Sequence, residues 1–439
     1  MSHPAAGAFD ADSEAQGLIE FVDASPSPFH ACAQAADSLA AGGFAELSER
    51  EPFPTTPGRY LVRRGGSLVA WDTTGAAAAS AGAATPFRVV GAHTDSPTLR
   101  IKPQPDHVSA GWQMLGVEPY GSPLLNSWLD RDLGLAGRVA VRTAGGVQTR
   151  LLHDGQPVLR VAQLAIHLDR GANDELHLDK QRHLVPLWGV GEAPADFRAY
   201  VGARVGAEPV DVLAWDVMVC PVQPSTRIGR ERDLIAAPRL DNLATSYAGV
   251  RALLAAAAAA EARHVPVLVL FDHEEVGSTS ERGATSTLLP SVLERVVAAA
   301  GGGREDYWRA LAGTVVASGD MAHATHPNYP DRHEPLHRIR VNAGPVLKVN
   351  ANLRYATDSV GAAAFVEACA QADVPLQTFV SRSDLPCGST VGPFTAALTG
   401  AATVDVGAPM LSMHSARELC GAADPAMYAA ALAAFLAPD

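Results

Sequence analysis

One pattern recurs along this sequence and constrains its fold more than any other feature: a short apolar run stops abruptly at ionisable residues, and a helix-compatible stretch follows. The runs span residues 87–92, 265–271, 314–317 and 403–406. Each run is short enough to form a strand that is buried on both faces of a sheet. Alternation of such strands with helices predicts the α/β class, with these four runs as central strands of one sheet.

The region between residues 100 and 235 follows a different pattern. It consists of short, turn-rich segments that alternate like the strands of an antiparallel or barrel-like sheet. We therefore predict an inserted second domain at residues 100–235, which divides a main domain into a first part at residues 1–99 and a second part at residues 236–439.

Two local segments of the main domain have their own signatures. Residues 239–263 predict a long helix, because they are rich in Ala and Leu and because Asp241 or Asn242 can cap its start. Residues 73–85 are small and low in complexity, and they predict a surface loop.

Composition excludes several classes of protein. With 34 Lys and Arg against 47 Asp and Glu, the net charge is −13, and no basic run suits nucleic acid. Hydrophobic residues make up 47 % and charged residues 18 %, which is globular composition and not that of a disordered chain. The five dispersed Cys suit a reducing compartment, and no signal peptide or apolar stretch of about 20 residues is found. We expect a soluble cytoplasmic protein that binds neither nucleic acid nor membranes.

The first candidate site residues are His93 and Asp95, which follow the apolar run at residues 87–92. They are two residues apart and therefore lie on the same side of an extended chain. His93 can bind a metal while Asp95 accepts a hydrogen bond from the other ring nitrogen. Taken alone, the pair is equally compatible with a solvated strand end.

The second candidate is the sequence DHEE, residues 272–275, at the end of the most apolar run. Adjacent ionised glutamates repel each other, and a divalent cation relieves the repulsion when one binds it and the other holds a water. This arrangement predicts one metal ligand and one general base. It is not the HExxH zinc helix, because Gly277 occupies the position of the second histidine.

Asp241, Asp320 and His414 lie at comparable places, downstream of a predicted strand or at the start of a helix. Each alone suits a helix cap or a structural residue better than a ligand. In open α/β sheets, however, ligands bind beyond the carboxyl ends of the strands, where these residues join His93 and Glu275. Five such N and O ligands can hold two zinc-like ions about 3.5 to 4 Å apart, with one carboxylate bridging them.

Other chemistries have weaker support in the sequence. It lacks a GxSxG nucleophile elbow, a GxxxxGKS phosphate loop and a GxGxxG fingerprint that opens a helix after a strand. Cys387 lies in a glycine-flanked loop without an evident partner base, so we interpret it as a small residue near a pocket wall. In the histidine-rich loop after Asp320, His323 is the histidine best placed to face the site.

Six segments, taken together and in order, resemble the aspartyl aminopeptidase family of dinuclear zinc metallopeptidases. They are GAHTDSPTLRIKP, PRLDNL, FDHEEVGS, SGDMAHATHPNY, GPVLKVNANLRYAT and MLSMHSARE. The resemblance covers nearly the whole chain. It implies a doubly wound, mixed-sheet α/β peptidase domain with an inserted β-rich dimerisation domain.

The resemblance also implies the roles of the site residues. Asp241 would bridge two divalent metal ions, with zinc expected and cobalt or manganese possible. The terminal ligands would be His93, Glu275, Asp320 and His414. Asp95 would orient His93, and Glu274 would be the general base for the attacking water.

The substrate and the assembly come from the resemblance alone. Lys348 would pair with the side chain of an N-terminal Asp or Glu, and Tyr355 and His323 would also contact substrate. His167 would reach the site of a neighbouring subunit in a homo-oligomer, a dodecamer built from dimers.

Three alternatives remain open at this point. One is a dinuclear aminopeptidase with neutral or broad specificity. Another is a non-catalytic, cargo-binding relative that keeps the fold, although retention of Glu274 and of all five predicted ligands argues against it. The third is a serine or cysteine hydrolase, which chelators would not inhibit.

Overall fold

The structure is a computed structural model that describes residues 9–75, 82–257 and 263–438. Its α-helices are α1 (Ala11–Asp23), α2 (Pro28–Ala41), α3 (Phe197–Val205), α4 (Leu240–Ala256), α5 (Leu288–Ala299), α6 (Arg304–Ala312), α7 (Ser359–Gln371), α8 (Val391–Thr399) and α9 (Asp424–Leu436). None of the helices in these ranges is both long and apolar enough to traverse a lipid bilayer. Parts of the predicted loop at 73–85 and of the predicted helix at 239–263 lie outside the described residues.

The strands within the described residues form three sheets. They are β1 (Ala45–Glu46), β2 (Arg59–Arg64), β3 (Ser67–Asp72), β4 (Phe87–His93), β5 (Thr98–Ser109), β6 (Trp112–Tyr120), β7 (Leu133–Thr143), β8 (Gly146–Leu159), β9 (Leu187–Val190), β10 (Val212–Pro221), β11 (Thr226–Ile228), β12 (Leu234–Ala237), β13 (Val265–Phe271), β14 (Val315–Gly319), β15 (Ala322–His323), β16 (Val346–Val349), β17 (Gln377–Val380), β18 (Ala402–Gly407), β19 (Pro409–Leu411) and β20 (Glu418–Gly421).

The four predicted central strands are neighbours in the largest sheet. Its order is β1-β2-β3-β13-β4-β14-β18-β16-β17, and β13, β4, β14 and β18 pair in parallel. Their carboxyl ends therefore meet at one edge, where Phe271 pairs with His93 and Gly319 pairs with Val406. The predictions for these four strands are confirmed.

Both faces of this sheet are covered by helices. In β13, Val267 and Val269 pack with α5, α6 and α8, whereas Leu268 and Leu270 pack with α1, α2, α4, α7 and α9. The period of two along a strand sends successive side chains into these two cores. The chain thus has the predicted doubly wound α/β architecture with a mixed sheet.

The predicted cap of helix α4 is wrong. The backbone of Asp241 and Asn242 is not helical, and Arg239, which precedes the helix, makes no capping hydrogen bond with its side chain. The Asn242 amide donates to the Gly319 carbonyl oxygen at 2.8 Å instead. The Asp241 main-chain N–H donates to the Glu418 carboxylate at 3.0 Å, which directs the Asp241 side chain towards the sheet edge.

A second sheet comes from one continuous part of the chain. Its order is β8-β7-β10-β5-β6-β9, its pairs are antiparallel, and it has its own apolar core. The turn-rich alternation between residues 100 and 235 thus corresponds to an antiparallel sheet.

The third, five-stranded sheet joins distant parts of the chain in the order β11-β12-β20-β19-β15. Strand β12 leads into the segment with Asp241, β15 follows Asp320, and His414 lies between β19 and β20. One backbone network therefore holds three of the predicted ligand segments.

Candidate metal centre

The candidate site begins where β4 and β13 end side by side. His93 is the last residue of β4, and its side chain is 1 % exposed. Its Nδ1 lies 3.0 Å from the carbonyl oxygen of Asp95 and 3.5 Å from the carboxylate of the same residue. The imidazole is thus oriented by Asp95, more closely through the main chain than through the side chain, and Nε2 is directed into the site.

The Asp95 carboxylate organises the loop after β13. It accepts hydrogen bonds from the main-chain N–H groups of Glu274 and Glu275, each at 3.1 Å. Its third donor is the hydroxyl of Tyr120 at 2.6 Å. One buried carboxylate therefore fixes the backbone that carries both glutamates.

Asp241 lies between the two predicted histidine ligands. Its Oδ1 is 3.5 Å from Nε2 of His93, and its Oδ2 is 3.4 Å from Nε2 of His414. The carboxylate is therefore positioned to be shared between two binding positions.

The two adjacent glutamates have different environments. Glu275 is nearly buried, and its Oε2 lies 3.4 Å from Nε2 of His414. The Glu274 side chain is 15 % exposed, and its Oε2 lies 4.0 Å from Nε2 of His93. The turn itself depends on positive φ at His273 and Gly277. The Glu275 carboxylate is thus nearly buried beside the cluster, whereas solvent can reach the Glu274 carboxylate.

Asp320 links the cluster to a buried lysine. Nζ of Lys348 donates to the main-chain carbonyls of Asp320 and Met321 at 2.9 and 3.3 Å. It lies 3.8 Å from Oδ2 of Asp320 and 4.9 Å from the ring centroid of Tyr355. Lys348 is only 2 % exposed, so its charge is held in place next to the site.

Glu418 is a residue that the sequence analysis missed. One of its carboxylate oxygens accepts the main-chain N–H of Asp241 at 3.0 Å, and the other accepts that of His414 at 2.7 Å. Its side chain is buried, so these bonds compensate for the loss of water. The signal in the sequence was the presence of an acidic residue in the MHSARE segment, four positions after the predicted ligand His414.

The predicted substrate-binding residues fall into two groups. Tyr355 is buried near Lys348, and its ring lies 6.4 Å from that of Phe379, which also contacts the exposed His323 ring at 6.0 Å. His167 lies instead in an exposed turn. Among the described residues, no hydrogen bond or ion pair joins His167 to the cluster.

Burial raises the pKa values of the carboxyl groups in the cluster, whereas neighbouring protonated histidines lower them. Burial raises the pKa of Glu274 to about 8. Burial, together with the neighbouring Asp241 carboxylate, holds the pKa of Glu275 well above its usual range. For Asp241, burial also favours the neutral form, but the His414 and His93 imidazoles outweigh it and lower the pKa. Asp241 therefore carries a negative charge at neutral pH.

The two imidazoles respond to that anion. Burial alone would lower the pKa of His414, but hydrogen bonding with Asp241 overcomes it and raises the pKa to about 9. Burial also opposes protonation of His93, but the Asp241 and Asp95 carboxylates, each 3.5 Å from a ring nitrogen, outweigh it and raise the pKa. Without a metal ion, both histidines thus carry protons at neutral pH.

Comparison with known proteins identifies the family to which the chain belongs. Residues 21–436 match the family described as aminopeptidase I zinc metalloprotease (M18). The chain belongs to the M18 family. It is an aminopeptidase and a zinc metallo-hydrolase.

Relatives of this M18 aminopeptidase match over nearly their full length. A protein of Mycobacterium bovis (strain BCG / Pasteur 1173P2) named "Probable M18 family aminopeptidase 2" is 57 % identical over 430 residues, which cover 97 % of this chain and 98 % of that protein. The structure titled "Cryo-EM structure of the Ape4 and Nbr1 complex" has a TM-score of 0.91 at 35 % identity and covers 97 % of this chain and 86 % of the other. The "Structure of S. cerevesiae mApe1 dodecamer" has a TM-score of 0.83 at 28 % identity and covers 97 % and 96 %.

The residues of this M18 aminopeptidase fit a bound metal. One ligand atom each from His93, Asp241 and Glu275 lie within 4.8 Å of one another. Oδ1 of Asp241 and Oε1 of Glu275 are buried and have no hydrogen-bond partner among the described residues. A buried carboxylate oxygen without a partner is costly, and a cation removes that cost. Imidazole and carboxylate are also ligands that zinc accepts.

Metal uptake by the M18 aminopeptidase should release protons. Metal ligands must lose their protons, and the raised pKa values of three predicted ligands, Glu275, His93 and His414, mean that the metal-free protein holds protons there at pH 7. We expect zinc binding at pH 7 to release at least one proton, and the release to shrink as the pH approaches 9. Calorimetry in two buffers of different ionisation enthalpy measures this. An identical heat in both buffers would contradict the assignment.

Proposed function

We propose that this M18 aminopeptidase binds two divalent metal ions per subunit, zinc first among them, and removes N-terminal Asp or Glu residues from peptides. The observation that carries the proposal is the fixed, buried ammonium of Lys348 beside the ligand cluster. A lysine is rarely buried without a charged partner, and the carboxylate of an acidic substrate residue would provide one.

The ligand roles follow from the placement of the side chains. Asp241 directs one oxygen to each of two histidines, which suits a bridging ligand. Glu275 shares the side of His414, and Asp320 lies next to Lys348. When bound, the metals polarise the scissile carbonyl, lower the pKa of the attacking water and hold the free α-amine of the substrate.

Glu274 is the proposed general base. It is attached to the turn that Asp95 fixes, and its carboxylate keeps partial access to solvent. A pKa of about 8 in the metal-free cluster is suited to taking up a proton and passing it to the leaving amine near neutral pH. Asp95 supports this step indirectly, because it holds the N–H groups of both glutamates.

Lys348 has room for one further acceptor. Two of its three N–H donors are directed at main-chain carbonyls, and the separation of 3.8 Å from the Asp320 carboxylate is longer than a hydrogen bond. The remaining donor can pair with a substrate carboxylate. Tyr355 lines the same place, and His323 stands at its exposed side.

The experiment that tests the function compares kcat/KM on aspartyl-, glutamyl-, leucyl- and N-acetyl-aspartyl-anilides. Protein stripped with a chelator is measured before and after zinc or manganese is restored. Metal-dependent cleavage of the two acidic substrates, with the other two nearly inert, supports the proposal. Preference for the leucyl substrate would leave a dinuclear aminopeptidase of neutral specificity, and activity that resists the chelator would revive a metal-free hydrolase.

Replacement of Lys348 by methionine should change specificity more than turnover. Loss of a charged hydrogen bond to the substrate costs about 1.5 to 3 kcal/mol, so kcat/KM on the aspartyl substrate should fall roughly 10- to 150-fold. The leucyl substrate has no carboxylate to lose, so its kcat/KM should change little. Lys102, which lies in the six-stranded sheet, offers a control variant, Lys102→Met. An equal loss on both substrates would contradict the proposed role.

The assembly and location are also proposals. We propose that residues 100–235 form a dimerisation domain between peptidase parts at 1–99 and 236–439, that dimers build a dodecamer, and that His167 completes a neighbour's site. An exposed His167 and the dodecameric relative support this. Light scattering that returned a monomer would refute it. We also propose a cytoplasmic location, because all five cysteines are free thiols, as is usual in a reducing compartment.

A further inference from the structure

The segment from Tyr120 to Ser127 connects β6 to β7 of the six-stranded sheet, yet it lies against the candidate metal centre. We call it the clasp. Four of its residues touch the predicted ligands or the residues that hold them. The contacts are made by Tyr120, Gly121, Ser122 and Leu124.

Tyr120 supports the His93 side of the site. Its hydroxyl donates to Oδ2 of Asp95 at 2.6 Å, the oxygen that also accepts the N–H of Glu275. The Tyr120 ring is held in turn by the guanidinium of Arg100, 5.3 Å from its centroid. The hydroxyl thus fixes the carboxylate that organises both glutamates.

Gly121 brings the backbone of the clasp close to Glu275. Its φ is +71°, and an added Cβ would lie 3.1 Å from Cβ of Glu275 and 3.5 Å from its Oε2. Contacts at 3.1 Å force the neighbour to move by a few tenths of an ångström. The clasp therefore needs glycine here for its positive φ and for space next to Glu275.

Ser122 and Leu124 fix the other side of the site. The carbonyl oxygen of Ser122 lies 3.0 Å from Nδ1 of His414, and the Leu124 N–H donates to the His414 carbonyl at 2.9 Å. Further along, Ser127 Oγ accepts the N–H of Ala416 at 2.8 Å. In the neutral imidazole, a carbonyl acceptor at Nδ1 places the remaining proton there, so that Nε2, the atom that faces Asp241 and Glu275, is the nitrogen available to a metal.

We propose that the clasp is a positioning element of the metal centre, through which the six-stranded sheet sets the geometry of Glu275 and His414 and the support of His93. The proposal rests on the proposed dinuclear site. It assigns no step of the reaction to the clasp. Partners that orient metal ligands in this way typically change metal affinity 10- to 100-fold when removed.

The test uses two variants in the full-length protein, Tyr120→Phe and Gly121→Ala. Two matched controls lie elsewhere in the same part of the chain, Tyr200 in helix α3 and Gly146 in β8. Tyr200→Phe removes a hydroxyl that donates to the buried Asp154 carboxylate, and Gly146→Ala places a Cβ at another positive φ with nothing within 4 Å. The controls thus reproduce the lost hydrogen bond and the backbone strain away from the metal ligands.

The main readout is zinc affinity, measured by competition with a chromophoric chelator, with the Tm of the metal-free protein as a check on folding. We expect each clasp variant to weaken zinc binding about 10- to 100-fold, while both controls bind like the wild type. Clasp variants whose zinc affinity matches that of their controls would overturn the proposal. A lower Tm with unchanged zinc affinity would also overturn it, because the clasp would then be merely structural.

The same titration separates this proposal from the proposed function. If the wild type binds two zinc ions and both clasp variants do so with equal affinity, the dinuclear site stands and the clasp proposal fails. If the wild type binds no zinc, the proposed function fails and the clasp proposal fails with it.

Discussion

Replacing Glu274 with glutamine will lower kcat by about 10² to 10⁴ while leaving metal content unchanged. Glutamine keeps the shape of the side chain but cannot take up the proton. Glu274 lies 4.0 Å from His93, and the Asp95 carboxylate holds its backbone, so the substitution should not move the turn. Steady-state kinetics on the aspartyl substrate, with metal analysis of the same sample, measure both quantities.

A matched control is available seven residues away. Glu281 lies close in sequence, and its side chain is 64 % exposed. Glu281→Gln should therefore keep full activity. If Glu274→Gln loses its metals along with its activity, Glu274 is a ligand and not a base, and the assignment of roles to the two glutamates must be exchanged.

Replacing Asp241 with asparagine will weaken metal binding by more than about 100-fold, the upper limit for a residue that only supports a ligand. The carboxylate faces His93 on one side and His414 on the other, so one substitution damages both binding positions. We expect the variant to be isolated without metal and to lack activity at ordinary zinc concentrations. Competition with a chelator and metal analysis give the affinity and the stoichiometry.

A second effect of Asp241→Asn is independent of metal. The Asp241 anion raises the pKa of both imidazoles, so its removal should lower the pKa of His414 from about 9 in the metal-free protein. Histidine NMR signals follow this change directly. Asp216→Asn is the control, because Asp216 also lies between two cations, Arg100 and Arg138, but in the six-stranded sheet. A variant that still binds two ions with wild-type affinity would exclude a bridging role.

The parts of this structure that could be predicted from the sequence are those with a local signature. A run such as residues 265–271 is apolar at every position because a central strand is buried on both faces, and the fold confirms it. The ionisable residues after the runs converge because parallel strands end at one edge. His93 and Glu275, which follow the neighbouring strands β4 and β13, are thus brought together although the chain separates them widely.

The remaining contacts have no local signature. Tyr120 belongs to a strand with ordinary alternation, and nothing nearby in the sequence indicates that its hydroxyl reaches Asp95, 25 positions earlier. The prediction that Asp241 or Asn242 caps a helix failed for a related reason. Capping propensity is a local preference, whereas the Asp241 backbone is held by Glu418, which lies far along the chain. Tertiary contacts decide in both cases.

The five-stranded sheet has a consequence for how the protein folds during its synthesis. It joins β12, at residues 234–237, with β20, at residues 418–421, and the proposed ligand His414 lies just before that last strand. The entropy of closing this loop is lost before the pairing compensates for it, so we expect the β12–β20 pairing to form late in folding. During synthesis, a chain that has not yet released β20 from the ribosome holds His93 and Glu275 but not the complete set of ligands. We therefore expect the nascent chain to lack a working peptidase centre until His414 and β20 have left the ribosome.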